Sequence, residues 1–334
     1  MTLDTTPAAD AAAHVQAFTF GEPMPVLDGR ELLDYLESYF NGRWYEPPLR
    51  MEGLAKAARA SVHLQSGLTF KRNLLARTFV PHPWLSRQAF EQLALDWLTL
   101  GNAYVEVQRN RLGGVMGLRP ALAKYVRVGK DGRFFFVEGW RQDHEFAPGT
   151  VFQLREADVN QEVYGLPEWY AAMQSALLNE SATLFRRKYY NNGSHAGFIL
   201  YMTDAGQNQD DVDALREALK SAKGPGNFRN LFVYAPGGKK DGMQLIPVSE
   251  VAAKDEFAAI KNISRDDVLA GLRIPPQLIG IVPQNAGGFG SVREAANVFA
   301  AVELEPLQAR MMQLNDWIGE KVITFREFTL PGAA

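Results

Sequence analysis

Between residues 252 and 319 apolar positions recur every three or four residues, with one interruption. Phe257, Ile260, Ile263, Val268 and Leu272 keep roughly helical spacing, with Lys254, Asp255, Arg265, Asp266 and Asp267 between them. That pattern predicts a helix over Ala252–Arg273. Ile274-Pro275-Pro276 ends it, because a proline ring disfavours the helical basin for the residue before it and donates no backbone bond. Ser291 and Glu294 stand at capping-box spacing at the head of a second helix, with Val292, Ala295, Ala296, Phe299 and Val302 on one side. Pro306 kinks or restarts that helix, and Leu304, Leu307, Met311, Leu314 and Ile318 carry the stripe on to Gly319. The loop between the two helices is rich in Gly, Asn and Gln and holds no acid, so it either lies close to something or moves.

Upstream, residues 1–16 are mostly Ala, Asp and Thr with little periodicity and predict a mobile arm. Phe18 to Pro25 reads as extended and Gly29–Phe40 as a short helix. Helices follow over Leu54–Ser66 and Ser86–Leu100, the latter with Phe90, Leu93, Trp97 and Leu98 on one face and Gly101 as C-cap. Ala103–Arg109 alternates as a strand, Gly113-Gly114 turns, and Tyr125–Val128 pairs with Phe134–Val137 across Lys130-Asp131-Gly132. Thr150–Leu154 is a further strand. A long helix over Glu168–Tyr190 carries Leu178, Ala182, Phe185 and Tyr189 as one stripe. An αβ insert comes next: strand Gly197–Met202, helix Gln209–Lys223, strand Asn230–Tyr234 and strand Met243–Val248. It is flanked by two long helices, as a small module on a helical stalk would be. Val322–Leu330 closes the chain as a strand returning to the first region.

Composition adds bounds rather than a function. The 334 residues are 46% hydrophobic and 22% charged, which suits a folded chain with a sizeable core and allows two domains. A net charge of −3 argues against a protein that coats nucleic acid through a general basic surface. With no cysteine, disulfides, thiolate metal sites and cysteine nucleophiles are excluded. No apolar run has the length of a membrane span and no signal pattern stands at the N-terminus, so a soluble protein that stays where it is made is expected.

Candidate chemistry is sparse. His14, His63, His82, His144 and His195 are scattered without partners at metal-ligand spacing and read as ordinary surface or loop residues. No nucleophile elbow, Walker loop or kinase signature is present. Gly287-Gly288-Phe289-Gly290-Ser291 before a helix could cradle a phosphate, but Arg293 is the only cation beside it. A nucleotide-binding enzyme using that loop, with Glu294 as its one nearby acid, therefore remains the alternative reading. A loop that brushes past a phosphate backbone without holding it also fits, since neutral amides and glycines avoid tight ionic contacts. Lys220, Lys223 and Arg229 give the insert a basic edge, offset by Asp210, Asp211 and Glu217 with Arg216 between. Such mixed charge fits a protein-docking or solvated surface.

Three stretches together resemble the portal (head-to-tail connector) proteins of tailed bacteriophages, nearest to the compact branch of temperate contractile-tailed phages and prophages. They are Leu100-Gly-Asn-Ala-Tyr-Val-Glu-Val-Gln-Arg109 with Leu118-Arg-Pro120; Val151-Phe-Gln-Leu-Arg155 with Tyr164-Gly-Leu-Pro-Glu168; and Leu272-Arg-Ile-Pro-Pro-Gln-Leu-Ile-Gly280 with Ser291-Val-Arg-Glu294 and Leu304-Glu-Pro-Leu307. The resemblance implies an α+β portal-type fold: an α/β wing (17–167), a two-helix stem (168–190 and 251–273), an αβ clip (191–250), a tunnel loop (274–290) and a kinked tunnel helix (291–319). Residues 320–334 would return to the wing as a strand, and the crown of larger relatives would be reduced or absent. It implies a structural, non-enzymatic protein without cofactor or metal. Its copies, usually twelve, would form a ring at a capsid vertex of the virion, assembled in the host cytoplasm. Double-stranded DNA would pass through the channel. The large terminase subunit and tail-completion adaptors would dock on the clip, at Asp210, Asp211, Arg216, Lys220, Lys223 and Arg229, and capsid and scaffold proteins would be further partners. Gln284, Asn285, Gly287, Gly288, Phe289 and Arg293 would line the channel, Pro275, Pro276 and Pro306 would be its hinges, and apolar stripes on the stem would face neighbouring subunits. Another capsid or connector protein is the structural alternative.

Overall fold

The computed structural model describes residues 38–139, 142–191, 198–202, 243–247, 253–281 and 291–330. Its core is built on helix α3 (Arg87–Leu100), which lies against α2 (Val62–Thr78) on one side and feeds directly into strand β4 (Asn102–Arg109). Helix α3 begins where Ser86 accepts a hydrogen bond from Ala89 N–H and ends at Gly101 in the left-handed region, φ 67°. The C-cap stands where the sequence places it, and Phe90, Leu93 and Trp97 are buried as the stripe requires.

Strand β4 is the centre of a three-stranded antiparallel sheet between β5 (Val115–Ala121) and β9 (Val151–Arg155). A second antiparallel sheet orders β1 (Tyr39–Phe40), β2 (Tyr45–Glu46), β6 (Val126–Val128), β7 (Phe134–Phe136) and β8 (His144–Glu145). The β6–β7 connection uses Asp131 and Gly132 with φ of 58° and 71°, as a tight Asp-Gly turn demands. Two-residue strands β3 (Phe79–Val80) and β12 (Thr324–Phe325) pair antiparallel, so the C-terminal segment does return to the first region. Phe79 stacks on Phe90 at 4.0 Å and Phe325 packs edge-on against both rings.

Several sequence expectations need correction. Tyr39 and Phe40 are strand, paired with Glu46 and Tyr45, not the end of a helix. The single helix over 54–66 is two, α1 (Met51–Ala57) and α2, broken at Ala58–Ser61. No Gly or Pro marks that break; it turns the chain so that Met51, Leu54, Leu64 and Leu68 all reach one core. The helix from 168 opens as a 3₁₀ turn (Glu168–Ala172) and continues as α4 (Met173–Asn191). Its expected stripe is only partly buried: Ala182 is inside, whereas Leu178 is 50% exposed and Phe185 39%. The final strand spans two residues rather than nine.

Helix α4 runs antiparallel to α5 (Ala253–Gly271), and between them strands β10 (Phe198–Met202) and β11 (Met243–Pro247) pair antiparallel in register. The expected strand at 230–234 and helix at 209–223 lie outside the described residues, as do the N-terminal arm and most of the helix expected at 29–40. The last helical stretch is not one kinked rod. It comprises α6 (Val292–Phe299), a π-helical turn (Ala300–Leu304), α7 (Glu305–Met311) and α8 (Gln313–Ile318). Pro306 lacks the N–H that would bond the Val302 carbonyl, and the wider π turn takes up that defect. The further break at Met312 carries no sequence signal. Leu304, Leu307, Met311 and Leu314 are buried as expected, but Val292 and Val302 are exposed. The inward side of α6 is Ala296 and Phe299, the latter packed on Phe70 at 5.5 Å.

Candidate functional site

The three stretches that carry the family resemblance meet in space. Asn102, fully buried, donates through Nδ2 to the carbonyls of Leu100 (3.0 Å) and Gly165 (2.8 Å), and its Oδ1 accepts from Gly165 N–H (2.9 Å). Glu156 N–H donates to Gly101 O at 2.8 Å. The Gly165 backbone approaches so closely that any Cβ there would collide with the Gly101 carbonyl and the Glu156 backbone. The first two stretches are thus stitched backbone to backbone, which explains why they need Gly-Asn and Gly at those places. Beside them Gln153 donates to Asn102 Oδ1, Tyr104 OH and Val163 O, and Tyr164 OH donates to Tyr45 O at 2.6 Å. Burial pushes the Tyr164 phenol up to about 12, so it stays a neutral donor.

Joined to this stitch is a partly buried charge cluster that sequence reasoning missed. Lys71 of α2 contacts Glu303 of the π turn and lies 3.7 Å from Glu168. Arg273, just past α5, donates to Glu303 (2.7 Å) and pairs with Glu168. Arg310 of α7 donates to both Glu156 (2.8 Å) and Glu168 (2.9 Å). Three cations match three carboxylates, contributed by six separate segments. Burial pushes Glu168 up, but the Arg310 hydrogen bond, with Lys71 and Arg273, wins and holds it below the usual carboxylate range. Burial wins at Glu156, whose pKa is raised despite Arg310, with Glu168 adding to it. A cavity of about 20 Å³, lined among others by Trp97, Lys71, Glu156 and Glu168, offers room for roughly one water. Among the described residues the cavity at the cluster is only water-sized, and the six side chains lock their segments together. One signal was available: Lys71 interrupts the buried stripe Leu64, Leu68, Leu75, and Glu303 stands between buried Phe299 and Leu307.

The cluster also anchors the near end of the Gly-rich loop through Arg273. Helix α5 ends at Gly271, before the prolines rather than because of them: Ile274 N–H donates to Leu269 O and Arg273 N–H to Ala270 O, with Arg273 at φ 55°. This is a Schellman stop with a non-glycine residue in the left-handed position, and the Arg273 ion pairs hold it there. Pro275 and Pro276 then lead a 3₁₀ turn (Pro276–Ile279) that ends at Gly280, φ 76°. At the far end Ser291 and Glu294 form the expected capping box. Arg293 is exposed. Gln284, Asn285, Gly287, Gly288 and Phe289 lie outside the described residues, and so do Asp210, Asp211, Arg216, Lys220, Lys223 and Arg229.

Along the α4–α5 pair the contacts are short and polar. Asn179 Nδ2 donates to Ser264 Oγ (2.9 Å), Ser175 Oγ to Asp267 (3.0 Å) and Lys261 Nζ to Thr183 Oγ1 (2.8 Å). Gly271 sits on Ala172, where a Cβ would come within 2.7 Å. Among the described residues no cluster of His, Asp and Glu could hold a metal ion, and no helix is long and apolar enough to cross a membrane.

Comparison with known proteins gives a consistent result. The family described as "Phage portal protein" matches residues 57–329. The chain is 52% identical to the probable portal protein of Escherichia phage P2 over 317 residues, covering 95% of this chain and 92% of that one. It is 35% identical to the probable portal protein of Haemophilus phage HP1, covering 83% and 82%. Among solved structures, a chain of the virion of a native gene transfer agent particle matches with a TM-score of 0.61 at 18% identity, covering 87% of each chain. An HK97 family phage portal protein from Corynebacterium diphtheriae matches with a TM-score of 0.59 at 16% identity, covering 81% of this chain and 94% of that one. These two show a shared fold.

Proposed function

The chain belongs to the phage portal protein family, and from that premise we propose how its parts divide the work. As a portal protein it is a structural component of the connector at the virion neck, at a capsid vertex. In our reading, residues 17–167 with the C-terminal strand form the wing, the helices over 168–190 and 251–273 the stem, and 191–250 the clip. The loop 274–290 and the helical stretch 291–319 form the tunnel.

The observation that carries this division is the antiparallel α4–α5 pair, which leaves the folded body at Glu168 and re-enters it at Arg273 with both ends tied to one charge cluster. A chain that goes out along one helix and back along another presents whatever lies between them at a distance from the core. Beyond the helices the outgoing and returning chain pair again as β10 with β11. The β3–β12 pairing supports counting the C-terminal strand with the wing.

Copies of the chain assemble as a ring, with twelve the number we expect; one structurally similar chain comes from a gene transfer agent neck computed with C12 symmetry. DNA passes through the channel beside Gln284, Asn285, Gly287, Gly288, Phe289 and Arg293, with Pro275, Pro276 and Pro306 as hinges. Terminase and tail-completion proteins dock on the clip through Asp210, Asp211, Arg216, Lys220, Lys223 and Arg229, and capsid and scaffold proteins contact the remainder. Native mass spectrometry with negative-stain imaging tests the ring: particles of about a dozen subunits with an axial hole are expected, and a stable dimer would overturn it. Proline at Gly287 and Gly288 should spare assembly and impair DNA packaging; normally filled heads would remove the tunnel-loop assignment.

A further inference from the structure

Trp97 of α3 carries a buried donor that no protein group satisfies. The residue is 2% exposed, and among the described residues its indole Nε1 has no hydrogen-bond partner. Native folds rarely leave such an N–H unpaired, and each exception needs a reason. Arg310 lies over the ring at 5.9 Å, and the same ring borders the cavity of about 20 Å³ that Lys71, Glu156 and Glu168 line. A second observation falls at that cavity. Lys71 Nζ and Glu168 Oε2 stand 3.7 Å apart, too far for a direct hydrogen bond. Lys71 has three N–H donors and is itself 2% exposed, so those not given to Glu303 also need an acceptor.

We propose that this cavity is the binding site of one ordered water, which accepts from Trp97 Nε1–H and Lys71 Nζ–H and donates to the carboxylates of Glu168 and Glu156. The volume suits a single molecule, since a buried water needs about 10–15 Å³ of this kind of space and two to four polar partners. The chemistry selects water among small occupants. An indole N–H only donates, so a metal ion or ammonium beside it would leave it unpaired. Chloride would accept from Trp97 but would lie against two carboxylates, where like charges repel. Water alone among these both accepts and donates, as two donors facing two carboxylates require. A polar contact longer than 3.5 Å is where a bridging water is expected. The remaining walls are leucines and Trp169, which offer the site no hydrophilic exit. Helix α3 contributes no charged member to the cluster, and this water joins it there by hydrogen bonds. The site is a property of the folded subunit and does not depend on the ring reading.

A density map of the purified full-length chain, sharp enough to show buried waters elsewhere, tests the site. A peak within about 3.2 Å of Trp97 Nε1, of Lys71 Nζ and of a Glu156 or Glu168 carboxylate oxygen is expected. An empty cavity would overturn the proposal, and so would a carboxylate oxygen bonded directly to Nε1, because the indole would then need no water. In solution, the chain carrying isotope-labelled tryptophan should give a cross-peak between one indole proton and long-lived bound water. Loss of that cross-peak in Trp97→Phe, with the other indole signals kept, assigns it to this site. A Trp97 indole signal without any water cross-peak would overturn the proposal as well. The map uses the unaltered chain, so it decides the question even if Trp97→Phe fails to fold.

Discussion

Lys71 and Glu303 stand 232 positions apart in the chain and meet as an ion pair with both side chains at least 96% buried. Each is also tied to a second oppositely charged residue, Lys71 to Glu168 and Glu303 to Arg273. Helix α2, the π turn, the start of the helix at 168 and the end of α5 are therefore held by one set of charges.

Removing one member of a buried pair strands the other. Lys71→Met should destabilise the chain by about 3–5 kcal/mol, because Glu303 would keep its charge without its closest partner. The double change Lys71→Met with Glu303→Leu should cost clearly less than the sum of the two single changes, measured by urea unfolding. Strict additivity would mean that the two residues do not act as a pair.

The backbone stitch at Gly101 and Gly165 makes a steric prediction. Gly165→Ala should abolish soluble expression or cost about 3 kcal/mol or more, since its Cβ has no room against the Gly101 carbonyl. Gly113 has φ of 85° but open space around it, so Gly113→Ala should cost only about 1 kcal/mol of backbone strain. Equal melting temperatures for the two variants would contradict this.

Asp96 gives a pH dependence. It accepts hydrogen bonds from Ala123 N–H (2.9 Å) and Gln92 Nε2 (2.7 Å), yet burial raises its pKa from 3.8 to about 6. A carboxyl whose folded pKa is raised contributes stability that is fully present below its unfolded pKa and is lost as pH rises through the folded one. At ~1.4 kcal/mol per pH unit the full effect is about 3 kcal/mol, lost between roughly pH 4 and 6.5. Asp96→Asn should flatten the stability profile across that window; an unchanged slope would assign the titration to another group.

The capping box at Ser291 fixes where the Gly-rich loop gives way to helix. Ser291→Ala should cost about 1 kcal/mol and speed amide hydrogen exchange at Val292–Ala295, leaving exchange in α3 unchanged. Equal protection in both variants would show that packing of Phe299, not the cap, sets the start of α6.

Much of this was legible along the chain because the signals are local. Caps at Gly101 and Ser291, the Asp131-Gly132 turn and the stripe from Leu304 to Leu314 each depend on residues within a few positions of one another, so sequence spacing specifies them. The family was legible for the same reason: its three stretches are contiguous runs. Their contact was not, because nothing in Asn102 alone says that Gly165 will be its partner. The break at Ala58–Ser61, the split at Met312 and the stop of α5 ahead of its prolines escaped too, since they arise from core packing and long-range ion pairs instead of from turn residues. Which face of a helix is buried was likewise decided in three dimensions. Val302 and Leu178 are as apolar as their buried neighbours, and only the arrangement of the other segments leaves them exposed. Local spacing and chain chemistry determined the elements and the family; the tertiary structure decided how six distant charged residues neutralise one another, because that balance exists only once the fold brings them side by side.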